Sequence, residues 1–281
     1  MLEIETSQNL NQVLYCLYSK KAPFLLKYIL YIFYMKTNKN FDHEELQNRI
    51  DLAAAYHLAD IYGFSDIIWN HITCKTSSKK NTFLINQFGL RYDEVTASNL
   101  LEIDLKGNII SGDGDINFTG FVIHGAIHQF REDLNCVMHS HSKSGLAISC
   151  LRGGLEILIQ DSAMFHSRIS YHDWEGMSTN IEECDSIVKD LGNNNSMILR
   201  NHGLLTAGKT IGEAFMLMYY LDRACQVQVD LLNTNQNIIK PSENLLEYAA
   251  GQYDDPKYQL GKHEWPALKR MLDKNNSIYD Q

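Results

Sequence analysis

At 281 residues the chain can fill one large core or two modest ones, and 44% hydrophobic with 21% charged residues and only 4 Pro excludes collagen-like, low-complexity and wholly disordered architectures. The formal charge of -9 argues against a general nucleic-acid or anionic-membrane surface, because both need clustered Lys and Arg to neutralise phosphates. Six cysteines lie far apart with no Cys-x-x-Cys among them, which reads as reduced thiols in a cytoplasmic compartment.

In chain order, the apolar run Phe24 to Met35 is 12 residues long and interrupted by Lys27, short of the ~20 needed to cross a bilayer. No small-residue cleavage pattern follows it, so a buried or interfacial helix is expected. Met35 directly precedes the polar leader of the first strongly periodic segment, and residues 1–34 are expected to be dispensable, within an N-terminal extension at 1–40. From His43 to Gly63, Leu46, Ile50, Ala53, Ala54, Tyr56 and Leu58 fall near one helical face and Gly63 supplies a stop. Ile67–Lys75 and Thr82–Ile85 read as a hairpin around TSSKKN, and strands at Asn99–Asp104 and Asn108–Ile110 flank a Lys106-Gly107 turn. There follow a helix at Thr119–Arg131, a strand at Asn135–His139, a helix from after His141 to Cys150 and a strand near Leu155–Ile159. Next come a helix at Ile181–Leu191, a strand at Ser196–Arg200 and a long helix at Ile211–Leu232. This alternation predicts one layered α/β domain over 41–240, with helices on both faces of a mixed, largely antiparallel sheet. The tail 241–281 is expected to hold a short docking helix bearing Trp265 and Leu268 on one face.

Three constellations carry chemistry. In the extended segment Asn135-Cys-Val-Met-His139-Ser-His141, alternate side chains share a side, placing two imidazoles about 7 Å apart by strand rise. The same spacing also suits a surface histidine beside a core one. A second strand ends in Arg200-Asn-His202-Gly203, and three neutral imidazoles would leave a tetrahedral zinc ion one open position, the arrangement of a catalytic site; other divalent transition metals accept imidazole too. A rival pair, His124 and His128, shares a helical face, but Gly125 stands where a zincin helix carries Glu, so packing or support of metal ligands is the competing role. Tyr171-His172-Asp-Trp-Glu175-Gly gathers proton-transfer candidates in a segment that reads equally as a turn. Dinucleotide-binding, Walker and serine-elbow signatures are absent from the sequence.

Across about Asn48–Leu232 the chain resembles the class II aldolase/adducin family, closest to its adducin-like bacterial branch. The motifs are Arg49-Ile-Asp-Leu-Ala-Ala-Ala-Tyr56, His124-Gly-Ala-Ile-His128 leading through Arg131 and Asp133 to His139-Ser-His141, and Arg200-Asn-His-Gly-Leu-Leu205 before Gly208. The resemblance implies a three-layer α/β/α fold, zinc on His139, His141 and His202, a small-molecule substrate and a homo-oligomer, typically a tetramer. It also implies a catalytic Glu at the position of Gly120, and small polar phosphate-site residues where this chain has Phe118, Thr119 and Phe88, while Asn70 and Gly89 are retained as substrate-binding positions. The function expected is a metal-dependent lyase or epimerase acting on a hydroxy-carbonyl compound through an enediolate. Its proton carrier is then drawn from Tyr171, His172 and Glu175. The alternative is a non-catalytic, metal-bearing scaffold of the cytoskeletal, actin-linked type.

Overall fold

A computed structural model describes residues 41–78, 80–176 and 183–281; the expected N-terminal extension and the Met35 start lie outside these residues. Helix α1 (His43–Ile61) begins where the Asp42 carboxylate accepts the Glu45 N–H, and it buries Leu46, Ile50, Ala53, Ala54 and Leu58. Small alanines let it lie close to the sheet. The buried Tyr56 hydroxyl donates to the Ile72 carbonyl at 2.5 Å and accepts the Ile72 N–H at 2.9 Å, fixing where the first strand starts.

That strand, β1 (Ile72–Lys75), pairs with β2 (Thr82–Ile85), followed by β3 (Leu101–Asp104) and β4 (Ile109–Ser111). Helix α2 (Phe118–Phe130), strand β5 (Cys136–Ser140) and helix α3 (Lys143–Ser149) come next, then β6 (Ile169–His172), α4 (Glu183–Leu191), β7 (Ser196–Leu199) and β8 (Gly203–Gly208). Helices α5 (Ile211–Leu232), α6 (Glu243–Gln252) and α7 (Glu264–Lys274) complete the described chain. The eight strands form one sheet in the order β4-β3-β2-β1-β5-β8-β7-β6, antiparallel throughout except for β6 against β7. The mixed, largely antiparallel sheet of the sequence reading is therefore the observed one.

Strand alternation sorts side chains into two cores. Cys136, Met138, Ile198 and Leu204 face α1, α5 and α7, whereas Val137, Met197, Leu199 and Leu205 face Ile123 and Ile127 of α2 and Ile187 of α4. Helices thus cover both faces, giving the α/β/α layering. The tail joins the first core through Trp265, whose ring packs on Gly212 and Phe215.

Four elements depart from expectation, the first being strand β8 (Gly203–Gly208), which pairs with both β5 and β7 where the sequence reading assigned no strand. The strand expected from Ile67 begins only at Ile72, because Trp69 N–H donates to the Asp66 carbonyl and closes a turn. No strand forms at Leu155–Ile159: the Leu155 and Glu156 amides at its start donate to the Tyr171 hydroxyl and the Gln228 side chain rather than to a neighbouring strand. The segment containing Tyr171 and His172, expected to be a loop or turn, supplies the edge strand β6, parallel to β7.

Candidate metal centre

The centre forms where β5 ends and the β7–β8 hairpin turns. Ser142 caps α3 by accepting the Gly145 N–H, and its hydroxyl donates to the Asp222 carboxylate of α5 at 2.5 Å, which anchors the chain directly after His141. On the neighbouring hairpin, Gly203 adopts φ 155, and a Cβ there would lie 2.5 Å from the Ser140 carbonyl. Only glycine lets the two backbones approach this closely, and the approach brings His202 to His139 and His141.

One ring nitrogen from each of these three histidines lies within 4.8 Å of the others. The His139 Nδ1–H donates to the Leu204 carbonyl at 2.9 Å, and His141 Nδ1 is 2.9 Å from the Asp66 carboxylate. A carbonyl and a carboxylate only accept, so both Nδ1 atoms carry hydrogens, and in the neutral rings both Nε2 atoms present lone pairs. Those Nε2 atoms face each other at 2.9 Å. Two lone pairs at that distance repel unless a cation or shared proton lies between them, so the donor set fits a metal ion. Burial, then the neighbouring histidines, depresses the His139 pKa, and burial followed by His141 lowers that of His202 to about 4. Both rings are neutral near pH 7, the state in which imidazole ligates.

Behind the trio lies a buried polar chain. His71 lies beside His139 with ring centroids 5.3 Å apart and planes tilted by 34°, and its Nδ1 is 3.0 Å from His124 Nε2. His124 Nδ1 and His128 Nε2 each reach the Thr73 hydroxyl at 2.8 Å. His124 and His128 therefore converge on Thr73 rather than on an ion site, which answers the rival reading of that pair. Burial holds His71 and His128 at about 3, so both are neutral. Gly120 completes the arrangement: a Cβ there would meet the His71 ring at 2.5 Å.

The remaining sequence candidates divide by sheet face. His172 lies on the α4 side, the side His139 faces; it is buried, with Nδ1 2.8 Å from the Asp190 carboxylate, and it contributes to lowering the His202 pKa. Tyr171 points to the other face, where its hydroxyl accepts the Leu155 N–H and its ring lies under the Arg200 guanidinium at 4.2 Å. Glu175 is exposed on the loop after β6. Asn70 is buried, donates to the Phe64 carbonyl at 2.8 Å, and leaves its amide oxygen without a partner; Gly89 is exposed in a turn at φ 100. Sequence reasoning missed Asp66 and His71. Asp66 lies 75 residues from His141 and His71 lies 53 from His124, and no local spacing announces such contacts.

The family described as "Class II Aldolase and Adducin N-terminal domain" matches residues 50–229. The "Putative aldolase class 2 protein" of Pseudomonas aeruginosa is 41% identical over 242 residues, covering 84% of this chain and 93% of that protein. Rat alpha-adducin is 38% identical over 249 residues, 83% of this chain but 34% of adducin. A crystal structure of an aldolase II superfamily protein from Pseudomonas syringae superposes with a TM-score of 0.82 at 36% identity, covering 86% of this chain and 98% of that one. Among the described residues, no helix is long and apolar enough to cross a membrane.

Proposed function

The chain belongs to the class II aldolase and adducin family, and on that footing we propose a metal-dependent enzyme acting on a small hydroxy-carbonyl compound, by carbon–carbon cleavage or epimerisation next to the carbonyl. The observation that carries this reading is the pair of Nε2 lone pairs facing each other at 2.9 Å while both Nδ1 atoms are committed to acceptors. His139, His141 and His202 would hold the ion, with zinc the metal proposed for three imidazoles and an open position. Such an ion supplies Lewis-acid polarisation of a carbonyl. Asp66 and Leu204 orient the ligating rings. Of Tyr171, His172 and Glu175, the geometry favours His172 for moving a proton at Nε2, because Asp190 fixes its ring and it lies on the trio's side of the sheet. Asn70 is the proposed substrate contact, its buried amide oxygen awaiting a donor, and Gly89 leaves open space beside the approach.

The working unit in this proposal is a homo-oligomer, a tetramer by family resemblance. The test is a panel of hydroxy-carbonyl compounds incubated in D2O with zinc-loaded protein, with deuterium entry at the carbon next to the carbonyl followed by NMR. Exchange or cleavage that disappears in His202→Ala is expected; fully metal-loaded protein inert to the whole panel would favour the second reading. That reading, a non-catalytic metal-bearing scaffold, draws on the similarity to alpha-adducin and on glycine at position 120. Ketose 1-phosphates are expected to be poor substrates, and their robust turnover by the natural protein would place it with the sugar-phosphate aldolases instead.

A further inference from the structure

Around the turn that carries Asp66 stands a group of large apolar side chains that the fold does not bury. Trp69 is 51% exposed, Phe118 46% and Phe88 36%, and Ile67 beside them is 71% exposed. Exposed apolar clusters of this kind mark binding surfaces more often than isolated exposed residues do.

Hydrogen bonds fasten this cluster to the candidate centre. The turn that carries Trp69 is closed by its N–H donating to the carbonyl of Asp66, the residue whose carboxylate holds His141. The Asn117 side chain donates to the Trp69 carbonyl at 3.1 Å, and Phe88 N–H donates to the Asp115 carbonyl at 2.8 Å, lacing the segments before β1, after β2 and before α2 together. The Trp69 and Phe88 rings meet at 5.4 Å with an interplanar angle of 59°. In the same turn Ile67 is held at φ 51. A β-branched residue in that region is strained, and such strain collects where the backbone is fixed for a task.

We propose that Trp69, Phe88 and Phe118 form an aromatic wall that selects substrates whose end remote from the metal is an uncharged aromatic group. This rests on the reading of the trio as a metal and substrate site. Ring faces offer edge-on and offset contacts to another ring, while the wall's side chains give a phosphate no charged donor. A phosphate against them would lose water without gaining a partner.

The test uses the full zinc-loaded chain and two metal-chelating probes, benzohydroxamate and acetohydroxamate, titrated by calorimetry. Benzohydroxamate is expected to bind about 10-fold or more tightly, the discrimination typical of an apolar subsite. Trp69→Ala and Phe88→Ala should each erase most of that preference while leaving acetohydroxamate affinity near the wild-type value, and Trp69→Phe should retain it. Equal binding of the two probes by wild type, or a preference that survives both alanine variants, would overturn the inference and leave the metal reading standing. If neither probe binds and metal analysis finds no zinc, the proposed function falls and this inference with it. A wild-type oligomer that dissociates on Trp69→Ala, with no preference between probes, would assign the wall to contact between copies and overturn the inference.

Discussion

Gly120→Ala puts the packing behind the metal centre to a quantitative test. Adding one methyl to a glycine inside a helix ordinarily stabilises by up to about 1 kcal/mol, because the chain loses less entropy on folding. Here the new Cβ would sit 2.5 Å from His71 Cδ2 and 2.8 Å from Cγ. An ordinary contact would require the ring to retreat by about 1 Å, in an interior packed to crystal-like density. The ring cannot do so cheaply: it is fully buried, bonded to His124 and packed beside His139. Overpacking of this kind costs about 1–3 kcal/mol, so Gly120→Ala should be destabilising, by about 2–8 °C in Tm for a chain of this length. The assay is thermal and urea unfolding of wild type, Gly120→Ala, His71→Ala and the double variant. Removing the imidazole relieves the clash, so the double variant should be more stable than the sum of the singles predicts, by about 1 kcal/mol or more. Gly120→Glu demands still more room, and with His71 in place it should lower stability without raising cleavage of ketose 1-phosphates. A Gly120→Ala protein as stable as wild type, or strictly additive singles, would refute the reasoning.

Asp66→Ala removes the acceptor that orients His141 and should weaken metal affinity by about 10–100-fold, read by competition with a chromogenic chelator; unchanged affinity would deny Asp66 that role. Burial, followed by the charge of Lys75, lowers the His128 pKa to about 3, against about 6.5 unfolded. The unfolded chain therefore binds the extra proton first, so this contribution is complete above pH 6.5 and is lost as pH falls below it, about 2 kcal/mol by pH 5. Urea unfolding at pH 7 and pH 5 should show His128→Gln losing less stability than wild type by about that amount, and equal losses would contradict the assignment. Ile67→Asn relieves a positive φ at a side chain that buries little and should raise stability by about 1 kcal/mol, measured by urea midpoint; a loss would show that Ile67 makes contacts the exposure does not suggest.

Local rules located most of the secondary structure because helix and strand periods are written within single segments. The helices beginning near His43, Phe118 and Ile211 carry apolar faces that need no distant partner to be recognised. Strand β6 escaped because Ile169–His172 is four residues long and pairs in parallel with β7, a contact that the intervening helix α4 separates in sequence. Leu155–Ile159 misled for the opposite reason: its composition suits a strand, but distant side chains take the amides at its start. At the site, alternation along β5 predicted that His139 and His141 share a side, yet their Nε2 atoms come to 2.9 Å, because the strand ends at Ser140 and the backbone turns towards α3. Glycine at position 120 was visible as a missing carboxylate. That His71 fills its space was not, since residue 71 lies 49 positions away and the two meet only when α2 docks on β1.

Metal content per chain tests the account most directly. The protein, purified without chelators and exchanged into metal-free buffer after zinc loading, should carry close to one equivalent by inductively coupled plasma mass spectrometry. His139→Ala, His141→Ala and His202→Ala should each lose most of it while remaining folded by circular dichroism. A wild-type protein that binds no divalent metal, or three variants that all keep a full equivalent, would contradict the claim that these histidines form the centre.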